Sequence, residues 1–127
     1  MNESEKKTIA IIGASTNREK YGNKAVRAYA KQGYRVYPVT PNAAEVEGLP
    51  TYKSVRDIPG DVEIASLYVP PQVGIRVLDE IASKKIREVF VNPGAESDEL
   101  IERARELGLR AIVACSILAI GMTPEEV

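Results

Sequence analysis

Gly13-Ala14-Ser15-Thr16, followed by Lys20-Tyr21-Gly22, is the segment best equipped for chemistry, and the chemistry is the non-covalent holding of an anion. It lies between an apolar run, Thr8 to Ile12, and a helical pattern, so a strand breaks into a glycine-bearing turn before a helix starts. Such a turn gathers backbone N–H groups and the positive end of the helix dipole at one point, where a phosphate or pyrophosphate is stabilised without side-chain charge. Gly13 admits close backbone approach, Ser15 and Thr16 supply hydroxyls, and Lys20 supplies a cation beside the helix start. A lone lysine is equally at home as a solvated side chain, so the role of Lys20 rests on the loop around it. A nucleotide-like ligand is the first hypothesis.

The turn is only a partial dinucleotide fingerprint, because Ser15 replaces the second glycine of G-x-G-x-x-G and a longer loop leads to Gly22. The Gly-Lys-Ser/Thr ending of a P-loop is missing as well, which argues against an NTPase. An NAD-binding domain normally offers Asp or Glu to the adenosine ribose after its second strand. Here that place reads Val39-Thr40-Pro41-Asn42, so NAD is disfavoured and a phosphorylated ribose would meet no repulsion.

These residues need a scaffold, and the chain spells one out. Strand-length apolar runs cover Thr8 to Ile12, Arg35 to Val39, Glu63 to Val69, Glu88 to Val91 and Arg110 to Ala114. They are too uniformly apolar for a half-solvated antiparallel sheet and read as parallel strands buried on both faces. Helical patterns alternate with them: Gly22 to Gln32 with Ala25, Val26, Tyr29 and Ala30 on one side; Gln72 to Lys84 with Val73, Val77, Leu78 and Ile81; Ser97 to Leu107 with Leu100, Ile101, Ala104 and Leu107. Gly33 and Gly108 fall where left-handed helix stops belong, Pro71 suits a first helical turn and Ser97 an N-cap. Between Pro50 and Pro59, Thr51-Tyr52 reads as a short edge strand and Ser54 to Ile58 as a single helical turn. The expected fold class is α/β: a doubly wound, mainly parallel sheet in three α/β/α layers, joined by right-handed crossovers. Ligands of such sheets bind beyond the carboxyl ends of the strands, where strand order reverses, here between the first strand and the one ending at Val69. That draws in Thr40-Pro41-Asn42, Val69-Pro70-Pro71 and Asn92-Pro93-Gly94-Ala95-Glu96 beside the first turn.

Whole-chain numbers bound the reading. A chain of 127 residues suits one domain, expected over 1–127 with a flexible start through residue 7. Net charge is −1, from 17 Lys plus Arg against 18 Asp plus Glu, so no basic excess drives binding to nucleic acid or an anionic membrane. The apolar runs are too short to span a bilayer and the charged start is not a secretory signal, which predicts a soluble cytoplasmic protein. With no histidine and one cysteine, Ser-His and Cys-His nucleophile pairs and a disulfide framework are excluded within the chain. No metal site is expected.

Ile11-Ile12-Gly13-Ala14-Ser15, Lys20-Tyr21-Gly22-Asn23, Tyr37-Pro38-Val39-Thr40-Pro41-Asn42 and Tyr68-Val69-Pro70-Pro71 together carry a family resemblance. From about Thr8 to Cys115 the chain resembles the CoA-binding domain found as a stand-alone bacterial and archaeal protein and as the N-terminal part of succinyl-CoA synthetase α subunits and ADP-forming acyl-CoA synthetases. The resemblance implies a Rossmann-like fold and CoA or an acyl-CoA as ligand. It implies that Gly13, Ala14, Ser15, Thr16, Lys20, Tyr21 and Gly22 hold the CoA phosphates, and that Thr40, Pro41 and Asn42 line the adenosine side. Val69, Pro70 and Pro71 would pack apolar surface on the ligand, and Asn92, Pro93, Gly94 and Glu96 would border the pantetheine arm. Two departures stand out: the synthetases place a strong cation soon after the second strand, where this chain has Asn42, and their phosphorylated histidine lies in a further domain.

Three functions follow as expectations. The first is a binding module for CoA or an acyl-CoA without catalysis of its own. The second is a subunit of an acyl-CoA synthetase that needs a partner chain, and the third an NAD(H)-binding redox sensor. A homodimer is compatible with any of them. Cys115 follows the last strand at the same carboxyl edge; an inert, enclosed thiol is its first reading, and exchange with the CoA sulfhydryl the sharper one. Glu99 and Glu102 belong to a solvated helix face, which leaves Glu96 as the carboxylate placed for a site.

Overall fold

The computed structural model describes residues 6–127. The expected flexible start therefore lies mostly outside the described residues; at its end, the Lys7 carbonyl accepts the Arg35 N–H at 2.8 Å. Five strands form one parallel sheet: β1 (Thr8–Ile12), β2 (Arg35–Val39), β5 (Ile64–Leu67), β6 (Glu88–Val91) and β7 (Arg110–Val113), in the order β2-β1-β5-β6-β7. The order reverses between β1 and β5, the expected switch point.

Alternation along the strands divides the interior into two layers. Ala10, Ile12, Ala65, Leu67, Val89 and Val91 face one side, against helices α2 (Pro71–Ser83) and α3 (Asp98–Glu106) through Leu78, Ile81, Leu100 and Ala104. Ile9 and Ile11 face the other side, against α1 (Tyr21–Lys31) and α4 (Ser116–Ala119) through Ala25, Val26, Tyr29 and Ile117. The result is the α/β, Rossmann-like, three-layer arrangement that the uniformly apolar strands require, since a strand buried on both faces has no solvated side to mark with polar residues.

Helix boundaries follow the local signals. Gly33 (φ 86°) and Gly108 (φ 74°) take the left-handed conformation just past α1 and α3. Ser97 Oγ accepts the Leu100 N–H at 3.1 Å as the cap of α3, and Pro71 opens α2. The face of α1 differs from expectation: Ala30 is exposed, while Gly22, Asn23 and Ala28 are buried, because the helix also packs on its own entry loop.

Two local expectations are corrected. The edge strand placed at Thr51-Tyr52 comes down to one bridging residue, Tyr52, preceded by β4 (Leu49–Pro50) paired antiparallel with β3 (Glu45–Val46), which the sequence reading missed. The turn between them, Glu47 (φ 51°) and Gly48 (φ 79°), has the positive dihedrals of a tight hairpin, and Tyr52 then makes an isolated parallel bridge to Val39. The strand expected through Val69 stops at Leu67, ahead of Pro70 and Pro71, which have no N–H to give a ladder. The turn expected at Ser54 to Ile58 is a 3-10 turn, Val55–Asp57, with the Ser54 hydroxyl accepting the Arg56 N–H.

Candidate functional site

The loops at the carboxyl ends of β1, β2, β5 and β6 enclose a cleft of about 900 Å³. Its floor is the exit of β1. There Gly13 (φ 96°) lies so close to β5's exit that a Cβ would stand 2.4 Å from the Tyr68 carbonyl oxygen. Gly22, in the first turn of α1, is equally confined: its Cβ would stand 2.2 Å from the Gly13 carbonyl oxygen. Two glycines thus bring β1, β5 and α1 closer together than any side chain permits.

The loop between Gly13 and α1 is held from inside the protein. Gly13 and Ala14 donate their N–H groups to the Val39 carbonyl at 3.0 and 3.2 Å, tying the turn to β2. Asn23, fully buried in the apolar stripe of α1, donates from Nδ2 to the Ser15 carbonyl at 2.8 Å and to Glu47 Oε2 at 3.0 Å. Its Oδ1 accepts Arg27 Nε at 2.7 Å, and Arg27 Nη2 donates to the Arg18 carbonyl at 2.7 Å. Ser15 Oγ accepts the Asn17 N–H at 3.0 Å, and Asn17 Oδ1 accepts the Glu19 N–H at 3.0 Å. The sequence reading gave Asn23 no role; the signal was a polar residue within the apolar face of a helix, which must find internal partners.

The helix ends around the cleft share a feature. Neither Lys20, the N-cap of α1, nor Pro70, the N-cap of α2, gives a side-chain capping bond, and neither first turn holds an acid. By contrast α3, whose first turn lies outside the cleft lining, has the Ser97 cap and Asp98 and Glu99 in that turn. The two helices that open on the cleft have neither a side-chain cap nor an acid within the first turn, which leaves their N–H groups open to an anion there, although Glu19 stands just before α1.

Most expected site residues converge. Gly13, Ala14, Ser15, Thr16, Lys20, Tyr21 and Gly22 line the cleft with Thr40, Pro41, Asn42, Val69, Pro70, Pro93 and Gly94. Three do not line it. Pro71 is the first residue of α2, and Glu96 is folded back to accept the Gly94 N–H at 2.9 Å. Asn92 points into the protein: Nδ2 donates to Ser66 Oγ and the Leu67 carbonyl, both at 2.8 Å, while Oδ1 accepts the Ser116 N–H at 2.8 Å. The cleft also recruits residues without a sequence motif, among them Glu19, Lys53, Ser54, Tyr68, Val73, Val77 and Glu80. Ser54 donates its hydroxyl hydrogen bond to Glu80 Oε1.

Behind the cleft wall, Tyr68 reaches Ser116. The Tyr68 hydroxyl lies 2.8 Å and Ser66 Oγ 2.9 Å from Ser116 Oγ, and the buried Tyr29 hydroxyl donates to the Ser116 carbonyl at 2.7 Å. Burial pushes the Tyr68 phenol up to about 12, against the opposing hydrogen bond with Ser116, and raises Tyr29 further still. Both are neutral hydrogen-bonding groups at ordinary pH. Cys115, the half-buried N-cap of α4, lies outside the cleft lining. Among the described residues, no group of three His, Cys, Asp or Glu side chains could hold a metal, and no helix is long and apolar enough to cross a membrane.

Comparison with known proteins bears on the fold and the family. The chain is 35% identical over 115 residues to the α subunit of Acetate–CoA ligase [ADP-forming] II from Pyrococcus furiosus, covering 82% of this chain and 25% of that protein. It thus spans about a quarter of the length of that relative. A conserved hypothetical protein from Pyrococcus furiosus superposes with a TM-score of 0.82 at 36% identity, covering 89% of this chain and 98% of that one. The Candidatus Korarchaeum cryptofilum dinucleotide forming acetyl-coenzyme A synthetase 1, solved in complex with phosphate and ADP, superposes with a TM-score of 0.75 at 31% identity, over 84% of this chain and 25% of that one. The family model described as CoA binding domain matches residues 7–121, the whole sheet and the four α-helices, and with these relatives it makes the chain a member of the CoA-binding domain family.

Proposed function

We propose that this protein binds coenzyme A or an acyl-CoA in the cleft, as a holding or delivery module without chemistry of its own. The observation that supports the reading is the start of α1 on the cleft, with no side-chain cap and no acid in its first turn, held close to β1 and β5 by Gly13 and Gly22. The diphosphate lies there, beside Ser15, Thr16, Lys20 and Tyr21. Adenosine occupies the end lined by Thr40, Pro41 and Asn42, and the pantetheine arm runs between Val69-Pro70 and Pro93-Gly94. Pro71, Asn92 and Glu96 serve from behind, holding these loops in shape. The absence of histidine and the position of the single cysteine outside the cleft lining favour binding over turnover.

Isothermal titration with CoA, NADH and ATP tests this. Saturable binding that prefers CoA and weakens at least tenfold in Lys20→Gln is the expected result; a preference for NADH, or no binding of CoA, overturns it. A second reading is supported by the ligase α subunit of which this chain matches a quarter: the module works with a partner chain that supplies the nucleotide chemistry. Co-purification of a larger nucleotide-binding protein with the tagged chain from its native cell would favour that reading; recovery of the chain alone would count against it.

A further inference from the structure

We propose that Lys53 recognises the ribose 3′-phosphate that distinguishes coenzyme A from dephospho-CoA, and so sets the nucleotide selectivity of the cleft. The inference rests on the CoA reading above and deepens it. A phosphate monoester carries a charge of about −1.5 to −2 near neutral pH, so its recognition calls for a cation at the adenosine end of the site. That end is formed by the exit of β2. Thr40 Oγ1 there accepts the Asn42 N–H at 3.2 Å, and Asn42 itself is neutral. Of the two cations that line the cleft, Lys20 stands at the start of α1, while Lys53 stands beside β2.

The root of Lys53 is fixed from both sides. Tyr52 donates its N–H to the Pro38 carbonyl at 3.0 Å and accepts the Thr40 N–H at 2.9 Å, extending the edge of β2 by one residue. The next residue, Ser54, caps the 3-10 turn and bonds to Glu80. The backbone around Lys53 is thus ordered to the cleft rim, while its exposed side chain has no hydrogen bond or ion pair among the described residues. The nearby Glu80 carboxylate is already engaged by Ser54. A compact ammonium on a flexible stem, rooted in rigid backbone, suits a phosphate monoester as a point charge. Thr40-Pro41-Asn42, directly after β2, contain no acid, so such a group meets no carboxylate from that loop.

Titration of CoA and of dephospho-CoA into the unmodified protein, Lys53→Gln and Lys53→Arg tests the assignment. The unmodified protein is expected to prefer CoA by about tenfold. Lys53→Gln should lose that preference by weakening CoA alone, with dephospho-CoA unchanged within about twofold, and Lys53→Arg should keep it. Equal loss for both ligands in Lys53→Gln, or an undiminished preference, overturns the assignment while leaving the CoA reading intact. If the unmodified protein binds neither ligand, both readings fall. Lys53 is exposed and makes no internal bond, so the substitution does not threaten the fold.

Discussion

Gly22 is a helical residue, and in a helix alanine is favoured over glycine by about 1 kcal/mol. Propensity therefore predicts that Gly22→Ala stabilises the protein, while packing predicts the reverse, because the new Cβ would meet the Gly13 carbonyl at 2.2 Å. Backbone oxygen cannot swing aside as a flexible side chain can, so a loss of about 1–3 kcal/mol is expected, read as a lower urea midpoint. A raised midpoint would show that α1 shifts without cost. Tyr68 permits a second prediction. Its folded-state phenol is raised to about 12 from an ordinary 10, so the neutral form is favoured in the folded protein. Its contribution is complete below pH 10 and is lost as pH rises through 12, when ionisation unfolds the Tyr68–Ser116 contact. Urea denaturation between pH 9 and 12 should show stability falling over that window, and falling less steeply in Tyr68→Phe. An equal slope in the variant would remove Tyr68 from the explanation.

Among the elements, α1 gives up stability that α3 keeps. Lys20 has the extended backbone of an N-cap (φ −80°, ψ 146°) without a side chain able to cap. Lys20→Asp would supply both the cap and a negative charge at the dipole's positive end, stabilising the protein by about 0.5–1.5 kcal/mol. The same change fills the proposed anion site with a carboxylate, so affinity for CoA should fall more than tenfold. Paired urea and titration measurements check the opposition of the two effects; a variant that gained stability and retained affinity would locate the phosphates elsewhere. α4 makes a different case. At four residues it is too short to show helical periodicity, and it is held instead by Ser116, whose N–H, hydroxyl and carbonyl all have partners in the sheet and α1. Asn92→Ala would leave the Ser116 N–H without its acceptor and the Leu67 carbonyl without one donor. A destabilisation of about 2–4 kcal/mol is expected by thermal or urea unfolding. A change below about 0.5 kcal/mol would mean that water replaces the amide.

Taken as a molecule, the protein places its cleft at the carboxyl end of a sheet whose remainder is core. Chain order alone carried much of that. Three of the five parallel strands, β1, β2 and β6, have the bounds their apolar runs announce, because residues buried on both faces leave a continuous signature. The glycines past α1 and α3 and the Ser97 cap were likewise legible, since each satisfies a need of its own helix end. Gly13 and the helix that follows it marked the first turn as part of the cleft lining, but not that the Gly13 and Ala14 N–H groups go to the Val39 carbonyl. Sequence neighbours could not show that Asn92 turns inward, since its partners Ser66 and Ser116 lie 26 and 24 residues away. Nor could they bring Lys53 to the cleft: only the Glu47–Gly48 hairpin and the bridge from Tyr52 to Val39 return that segment to β2. Local pattern determined the elements and the glycine turn, because propensity, capping and burial on two faces act over a few residues. Tertiary structure alone decided which side chains share the cleft, because that depends on hydrogen bonds and packing between segments distant in the chain.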